Sequence, residues 1–365
     1  MRLIVTGGGT GGHIYPALEV AQAARVAGWE VGYYGSERGQ ERAVVEKARL
    51  SFRAFPSQPL YRLTTIKGVK AAFQLARATA GAMRALREDR PDAVFATGGY
   101  AAAPVLQAAR RLGIPYIIHE QNSVPGRTNL MMSGRAAAVC TVFERAADHF
   151  PADKVVRTGM PVRQSLRDCA QGRLFEHGLS HPAPMVFVMG GSQGSVALND
   201  AALACAVRMA RSEVQWVHVT GPDNYETTLA SREKLGIRGE YAVHPYLQAD
   251  DLGAALFSSA LCVCRSGAGT MAELAAFRKP SILVPYPHAF GDHQRYNAEE
   301  FERIGAAKIL PQDELTPLTL EGRIHAWIED KDAQAAAHQA LAAWDLPDAT
   351  ERVLEQIKMA GGKGT

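Results

Sequence analysis

No run of apolar residues in this 365-residue chain reaches the ~18 that a membrane-crossing helix needs, which argues against an integral membrane protein. Cysteine is scarce. The five, at 140, 169, 205, 262 and 264, form no CxxC pair and no disulfide ladder, so a small secreted scaffold is excluded and a reducing, cytoplasmic setting is expected. There is no HExxH. The acidic pairs Asp250-Asp251, Glu299-Glu300 and Glu329-Asp330 do not directly follow strand patterns, so no obligatory metal is expected. The opening MRLIVTGGG lacks the basic segment, long apolar segment and cleavage site of a secretory signal.

What is there is an ordinary globular mixture, 47% hydrophobic and 21% charged, with apolar side chains enough for two cores. At ~150 residues per domain the length suggests two domains. The net charge of +3 hides an asymmetry: residues 1–163 carry 22 Lys and Arg against 12 Asp and Glu, and the remainder 18 against 25. A basic front half suits an anionic partner such as phosphate, a membrane surface or nucleic acid, unless the two halves have simply drifted apart in composition.

Short β-rich runs alternate with Ala-rich helical stretches. Strands are predicted at Leu3–Thr6, Val31–Tyr34, Ala93–Ala96, Tyr116–His119, Ala138–Val142, Met185–Met189, Gln215–Val219, Leu261–Cys264 and Ile282–Val284. Helices are predicted over 14–27, 68–88, 101–112, 197–210 and 270–277. That alternation implies parallel sheets covered on both faces, an α/β class. LIVTGGGTGGH in the first half is echoed by MVFVMGGSQGS in the second, each a strand running into a glycine loop and a helix. Two Rossmann-like halves explain this better than one long sheet. The junction is placed in the loop around Pro161–Gly194, with its polar stretch Gln171–Pro184. The expected division is 1–163, 164–345 and a last helix in 346–365, begun after Pro347-Asp348 and packing back on the first half.

The chemistry concentrates in six motifs. In Gly7-Gly8-Gly9-Thr10-Gly11-Gly12-His13, glycines let backbone N–H groups approach an anion, and the following helix adds the positive end of its dipole. Pro16 suits a first helical turn. The motif satisfies G-x-G-x-x-G, but the second strand ends Tyr33-Tyr34-Gly35-Ser36 without the acid a nicotinamide enzyme wants, so a dehydrogenase is demoted. His13 reads either as a helix-start histidine bonded to backbone or as a base for a hydroxyl near neutral pH. Gly98-Gly99-Tyr100 is an ordinary turn or a second anion cradle. His119-Glu120-Gln121-Asn122 lies beyond the carboxyl end of an apolar strand, where ligands gather in open α/β sheets.

In the second half, Gly190-Gly191-Ser192-Gln193-Gly194 reads as another phosphate loop, and Arg163, just before the junction, is a candidate to neutralise a pyrophosphate. In Arg265-Ser266-Gly267-Ala268-Gly269-Thr270-Met271-Ala272-Glu273, Thr270 and Glu273 have the spacing of a capping box, or Glu273 grips ribose hydroxyls. His293-Gln294-Arg295-Tyr296-Asn297 is a solvated loop unless it serves a site. Cys262 and Cys264 read as core rather than metal ligands. From Ile66 to Arg90, a stripe of Ile66, Val69, Phe73, Ala76, Ala80 and Met83 is flanked by Lys67, Lys70, Arg77, Arg84, Arg87 and Arg90. It either faces the core or rests on anionic headgroups.

GGGTGGH, GGY, HEQN, GMPVR, GGSQG, RSGAGTMAE, HQRYNA and PDATERV occur in the order and at roughly the spacings of the MurG family, over about residues 1–357. The chain resembles that family closely. The resemblance implies a GT-B glycosyltransferase of two Rossmann-like domains whose parallel sheets face a central cleft. It implies transfer of N-acetylglucosamine from UDP-N-acetylglucosamine to undecaprenyl-pyrophosphoryl-MurNAc-pentapeptide (lipid I to lipid II) in peptidoglycan synthesis, with inversion and no nucleic-acid partner. The place implied is peripheral, on anionic lipid at the cytoplasmic side of the inner membrane.

The family pattern puts Ser192 at the diphosphate, Arg163 near the donor, Glu273 on the ribose, and Ala268, Gly269, Thr270, Met271 and Ala272 along the nucleotide. Leu247 falls near the uracil, and Gln294 and Asn122 at the sugar. Thr10, Gly11, Gly12, His13, Tyr100 and Glu120 fall at the acceptor and reacting centre, with His13 the first candidate base and Glu120 the second, or the group that orients His13. The chain departs from the family at Met160, where Asn is usual, at Ala101-Ala102-Ala103-Pro104 after GGY, and near Ser57–Leu63. A UDP-sugar 2-epimerase and a non-catalytic nucleotide-sugar binder are the alternative readings.

Overall fold

A computed structural model describes residues 1–58, 66–168, 175, 183–209, 214–237 and 241–362. Most of Gln171–Pro184, Cys169, residue 210 and most of Ser57–Leu63 lie outside the described residues, as do the side chains of Ile66, Lys67 and Val69. The chain forms two compact units, Met1–Pro161 with Leu346–Thr365, and Val162–Asp345.

The first unit holds strands β1 (Arg2–Gly7), β2 (Glu30–Ser36), β3 (Ser51–Phe55), β4 (Ala93–Gly98), β5 (Tyr116–Glu120), β6 (Ala138–Thr141) and β7 (Val155–Arg157). They form one parallel sheet in the order β3-β2-β1-β4-β5-β6-β7. The second unit holds β8 (Met185–Met189), β9 (Gln215–Val219), β10 (Tyr241–His244), β11 (Ser259–Cys264), β12 (Ser281–Leu283) and β13 (Ala307–Ile309), parallel in the order β10-β9-β8-β11-β12-β13. Both orders are the doubly wound 3-2-1-4-5-6 pattern, which opens a crevice beyond the carboxyl ends of the first and fourth strands. All nine strands predicted from sequence are present. The echoed pair, β1 and β8, occupies the same place in each sheet.

The helices of the first unit are α1 (Gly11–Val26), α2 (Glu41–Lys47), α3 (Ile66–Asp89), α4 (Gly99–Leu112) and α5 (Arg127–Ser133). The second unit carries α6 (Gln164–Asp168), α7 (Val196–Arg208), α8 (Tyr225–Lys234), α9 (Ala249–Ser258), α10 (Ala268–Ala276), α11 (His293–Arg303), α12 (Pro317–Glu329) and α13 (Lys331–Trp344). The final α14 (Ala349–Gly361) belongs to the first unit, packing on α1, β4, β5 and β6 and burying Val353 and Ile357 in the core that also holds Leu3, Val5 and Phe95.

Two sequence expectations are corrected, and one reading left open is divided. Pro16 is not in the first turn: α1 begins at Gly11, and Pro16 lies in the second turn, where it denies the Gly12 carbonyl its usual N–H. Pro104 stands at the same place in α4. Second, α10 is capped by Gly267, so Thr270 lies inside its first turn and the capping box with Glu273 does not form. Third, the described members of the α3 stripe divide: Met83 packs on the core, whereas Phe73 is 72% exposed and Ala76 and Ala80 are exposed beside Lys70, Arg77, Arg84 and Arg87. Ala71, Ala78, Ala82, Ala85 and Leu86 of the same helix are buried.

Candidate active site

Both units present glycine turns at the carboxyl ends of their central strands. After β1, the chain runs through Gly7–Thr10 into α1, whose N-cap Thr10 makes no side-chain capping bond and whose first turn holds no acid. The N–H groups of Gly11 and Gly12 are those a helix leaves without an internal partner, at the positive end of its dipole. After β4, Gly98 and Gly99 start α4 in the same way. The two turns are packed together so closely that only glycine fits at 99: its φ is +77°, and a Cβ there would stand 2.1 Å from the Gly8 carbonyl oxygen. Tyr100 is half-buried with its ring over Gly9. Burial and the Glu41 charge raise its phenol, so Tyr100 remains a protonated donor.

His13 is half-buried in the first turn of α1. Its Nδ1 lies 2.9 Å from Gln121 Oε1, and its carbonyl accepts from Thr97 Oγ1 at 2.8 Å. Gln121 Nε2 lies 3.0 Å from His119 Nδ1 and 2.8 Å from the His119 carbonyl oxygen, and His119 Nε2 lies 3.0 Å from the Gly159 carbonyl oxygen. Burial pushes the His119 imidazolium down to about 4, so the ring is neutral at neutral pH. Gln121, rather than Glu120, is therefore the side chain that meets Nδ1 of His13.

Glu120 is buried and accepts from the backbone N–H groups of Asn122 (3.0 Å) and Gly126 (3.0 Å) and from Asn129 Nδ2 (2.8 Å). Burial raises its carboxyl against the pull of those bonds. Its carboxyl group ties down the loop from Asn122 to Gly126, with Asn122 half-buried within it.

In the second unit, β8 leads through Gly190–Gly194 to α7, capped by Ser195, whose Oγ accepts from the Leu198 N–H. Ser192 is exposed on that loop. Gly194, with φ +74°, could carry no side chain, since a Cβ would meet the Thr220 carbonyl oxygen at 1.9 Å. The first turn of α10 offers the N–H groups of Ala268, Gly269 and Thr270. Met271 N–H is already given to the Gly267 carbonyl, and the Met271 and Ala272 side chains are buried in the core.

Glu273 is half-buried, and burial pushes its carboxyl up to about 7 against the opposing pull of Arg163, whose Nη2 is 4.0 Å away. Leu247 is buried just beyond β10. His293–Asn297 is not a loop but the start of α11: Gln294 Oε1 accepts from the Tyr286 N–H, Ser266 Oγ donates to the Gln294 carbonyl, and Asn297 Nδ2 to the Ser266 carbonyl.

Three functional groups escaped the sequence reading. Gln121 and His119 were read only as part of a polar run, and nothing in their spacing says that Gln121 reaches across to α1. Arg265 was read as the edge of a glycine motif. It is buried, donating to the Val284 and Pro285 carbonyls (3.0 and 3.1 Å), to Ser195 Oγ (2.7 Å) and to Gln312 Oε1 (2.5 Å). A basic residue at the end of a buried strand was the available signal. Among the described residues, no three His, Cys, Asp or Glu side chains gather in a way that could hold a metal ion.

Residues 3–141 match the glycosyltransferase family 28 N-terminal domain, and residues 185–353 match the C-terminal domain of the same family. The chain belongs to glycosyltransferase family 28. Among relatives of this family-28 enzyme, a protein of Desulforudis audaxviator is 38% identical over the whole of both chains, and one of Moorella thermoacetica 37% identical over 98% of each. Both are named UDP-N-acetylglucosamine–N-acetylmuramyl-(pentapeptide) pyrophosphoryl-undecaprenol N-acetylglucosamine transferase. The crystal structure of Acinetobacter baumannii MurG superposes with a TM-score of 0.80 at 30% identity, covering 98% of this chain and 99% of that one. A putative UDP-N-acetylglucosamine 2-epimerase of Listeria monocytogenes has a TM-score of 0.71 at 14% identity, covering 100% of this chain and 97% of that one, a likeness of fold alone. The family-28 glycosyltransferase thus has the GT-B fold of two Rossmann-like domains.

Proposed function

We propose that this chain transfers N-acetylglucosamine from UDP-N-acetylglucosamine to the 4-hydroxyl of the muramyl sugar of lipid I, giving lipid II, by a single displacement with inversion. Full-length identity of 37–38% to transferases named for that reaction supports the assignment. The observation that carries the chemistry is the half-buried His13 at an uncapped, glycine-lined helix start. The hydroxyl attacks the anomeric carbon from the face opposite UDP, and His13 takes its proton. In the first unit the N–H groups of Gly11 and Gly12, with Thr10 and Tyr100, meet the acceptor and its pyrophosphate. In the second, the Gly190–Gly194 turn with Ser192, the first turn of α10 and Arg163 take up the charge that builds on UDP. Gln294 and Asn122 hold the sugar, and Leu247 lies at the uracil.

The test uses labelled UDP-N-acetylglucosamine and a short-chain lipid I analogue. Label should appear in the acceptor, with or without a chelator, and no 2-epimer should form when the acceptor is omitted. Epimer without acceptor would favour the epimerase reading, and UDP binding without turnover the binder.

Glu273 as the ribose acceptor gives a pH signature. Its carboxyl sits at about 7, so the charged form that accepts two hydroxyl hydrogen bonds prevails above that pH and is lost below it. KM for UDP-N-acetylglucosamine should therefore rise as pH falls through 7, by up to ~10-fold per pH unit on the acid side. The Glu273→Gln variant should lose that dependence. A pH-independent wild-type KM would reject the role.

The exposed face of α3, with Phe73, Lys70, Arg77, Arg84 and Arg87, continues the proposal to the inner leaflet. On α5, Leu130 is 40% and Met131 60% exposed, beside exposed Arg127. No described helix is long and apolar enough to cross a membrane. Each cation near an anionic surface contributes ~1 kcal/mol. Lys70→Glu with Arg77→Glu should weaken binding to anionic vesicles by at least ~30-fold at low salt, with the difference shrinking as salt is added. Unchanged vesicle binding would leave α3 an ordinary solvated face.

A further inference from the structure

We propose that Gln121 and His119 are positioning residues that fix the proton of His13 on Nδ1, so that Nε2 is the nitrogen that accepts the proton of the attacking hydroxyl. The inference rests on the reading of His13 as base and adds the device that aims it.

The direction of every proton in this chain of groups follows from two backbone carbonyls, which can only accept. The Gly159 oxygen lies 3.0 Å from His119 Nε2, so that nitrogen carries the hydrogen. The ring is buried and neutral, so it holds one proton, and His119 Nδ1 is a lone pair. Facing that lone pair at 3.0 Å is Gln121 Nε2, which also lies 2.8 Å from the His119 carbonyl oxygen. Both neighbours accept, so the amide presents its NH2 end to them and its oxygen to the other side. That oxygen is 2.9 Å from His13 Nδ1 and can only accept, so Nδ1 of His13 is the N–H. A neutral His13 is left with its lone pair on Nε2. Flipping the amide would set an oxygen against the His119 lone pair and carbonyl together.

The anchor is rigid. Gly159 has φ +77°, and a Cβ there would stand 2.9 Å from Leu346 Cβ, so its carbonyl is held where the chain leaves and re-enters the first unit. His119 lies in β5, paired with β6. All four groups belong to the first unit. The same logic explains the order of residues in HEQN: side chains alternate, so His119 and Gln121 work together while Glu120, between them, ties down the following loop.

The most direct reading is 15N NMR of the wild-type protein labelled in histidine, with the His13 signals assigned by their loss in His13→Ala. His13 should show a protonated Nδ1 and an unprotonated Nε2. A protonated Nε2 overturns the proposal. In kinetics, Gln121→Leu should lower kcat by up to ~10²-fold, the scale of misplacing a catalytic group and less than removing His13 itself, with KM for UDP-N-acetylglucosamine unchanged and the His13 tautomer no longer fixed. Gln121→Glu should recover most of kcat, because a buried neutral carboxyl both donates to His119 Nδ1 and accepts from His13. Wild-type kcat in Gln121→Leu, or no recovery in Gln121→Glu when both fold as judged by melting, overturns the positioning role. If His13→Ala itself turns over normally, the base assignment has failed instead.

Discussion

His13→Ala should lower kcat by ~10³-fold, within the range that a positioned general base contributes, while KM for UDP-N-acetylglucosamine stays within about twofold. In the proposed mechanism the two effects separate because the imidazole works on the attacking hydroxyl, whereas most of the groups proposed to hold the donor lie on the Gly190–Gly194 turn, α10 and α11 of the other unit. His13 is half-buried and its backbone bond from Thr97 survives truncation, so the expected stability cost is the bond lost by Gln121 Oε1, ~1–3 kcal/mol. Fast mixing of enzyme with saturating donor and acceptor isolates the chemical step. Normal turnover would remove His13 from the mechanism.

Arg265→Met should damage donor binding and the second unit together. The guanidinium joins the end of β12 to the cap of α7: it holds the Val284 and Pro285 carbonyls and Ser195 Oγ, and lies 5.6 Å from the centre of the Tyr286 ring. Burial lowers its basicity, a cost that these bonds and the aromatic face offset. Methionine fills much of the volume but leaves two buried carbonyls without donors, at a cost of roughly 2–4 kcal/mol. For a unit of this size that lowers the melting temperature by about 5–15 °C. With Ser195 released, the Gly190–Gly194 turn loses its fixed end, and KM for UDP-N-acetylglucosamine should rise by ~10-fold or more, equivalent to ~1.4 kcal/mol. Arg265→Lys should not rescue, since an ammonium cannot reproduce the planar fork. Differential scanning fluorimetry and donor titration read both effects. A stable variant with normal KM would show that the guanidinium pins nothing.

The interior of both sheets was legible because strands covered on two faces read as unbroken apolar runs, as in Leu3–Thr6 and Met185–Met189. The four strands without a sequence signal, β3, β7, β10 and β13, are the four sheet edges. Only one side of each is paired, their residues are partly exposed, and the apolar pattern thins accordingly. On α3 the periodicity was genuine, but it did not separate Met83, which packs on the core, from Phe73, which does not. The core accepts alanines there because α3 packs closely on α4, and the larger Phe73 is left outside. Glycine loops were readable since close backbone approach demands glycine whatever the neighbours. Long-range partners were not: the bond from Gln121 to His13 spans 108 residues, and the one from Arg265 to Ser195 spans 70. Only the topology brings such pairs together.

In the proposed one-step displacement the acceptor hydroxyl, deprotonated by His13, reaches the anomeric carbon opposite to UDP. The proton coupling constant at the new glycosidic carbon, measured by NMR on product made from UDP-N-acetylglucosamine and a short-chain lipid I analogue, tests it most directly. The large coupling of a β-linked sugar is the expected result. An α-linked product, or sugar released into water in place of a linked product, would contradict it.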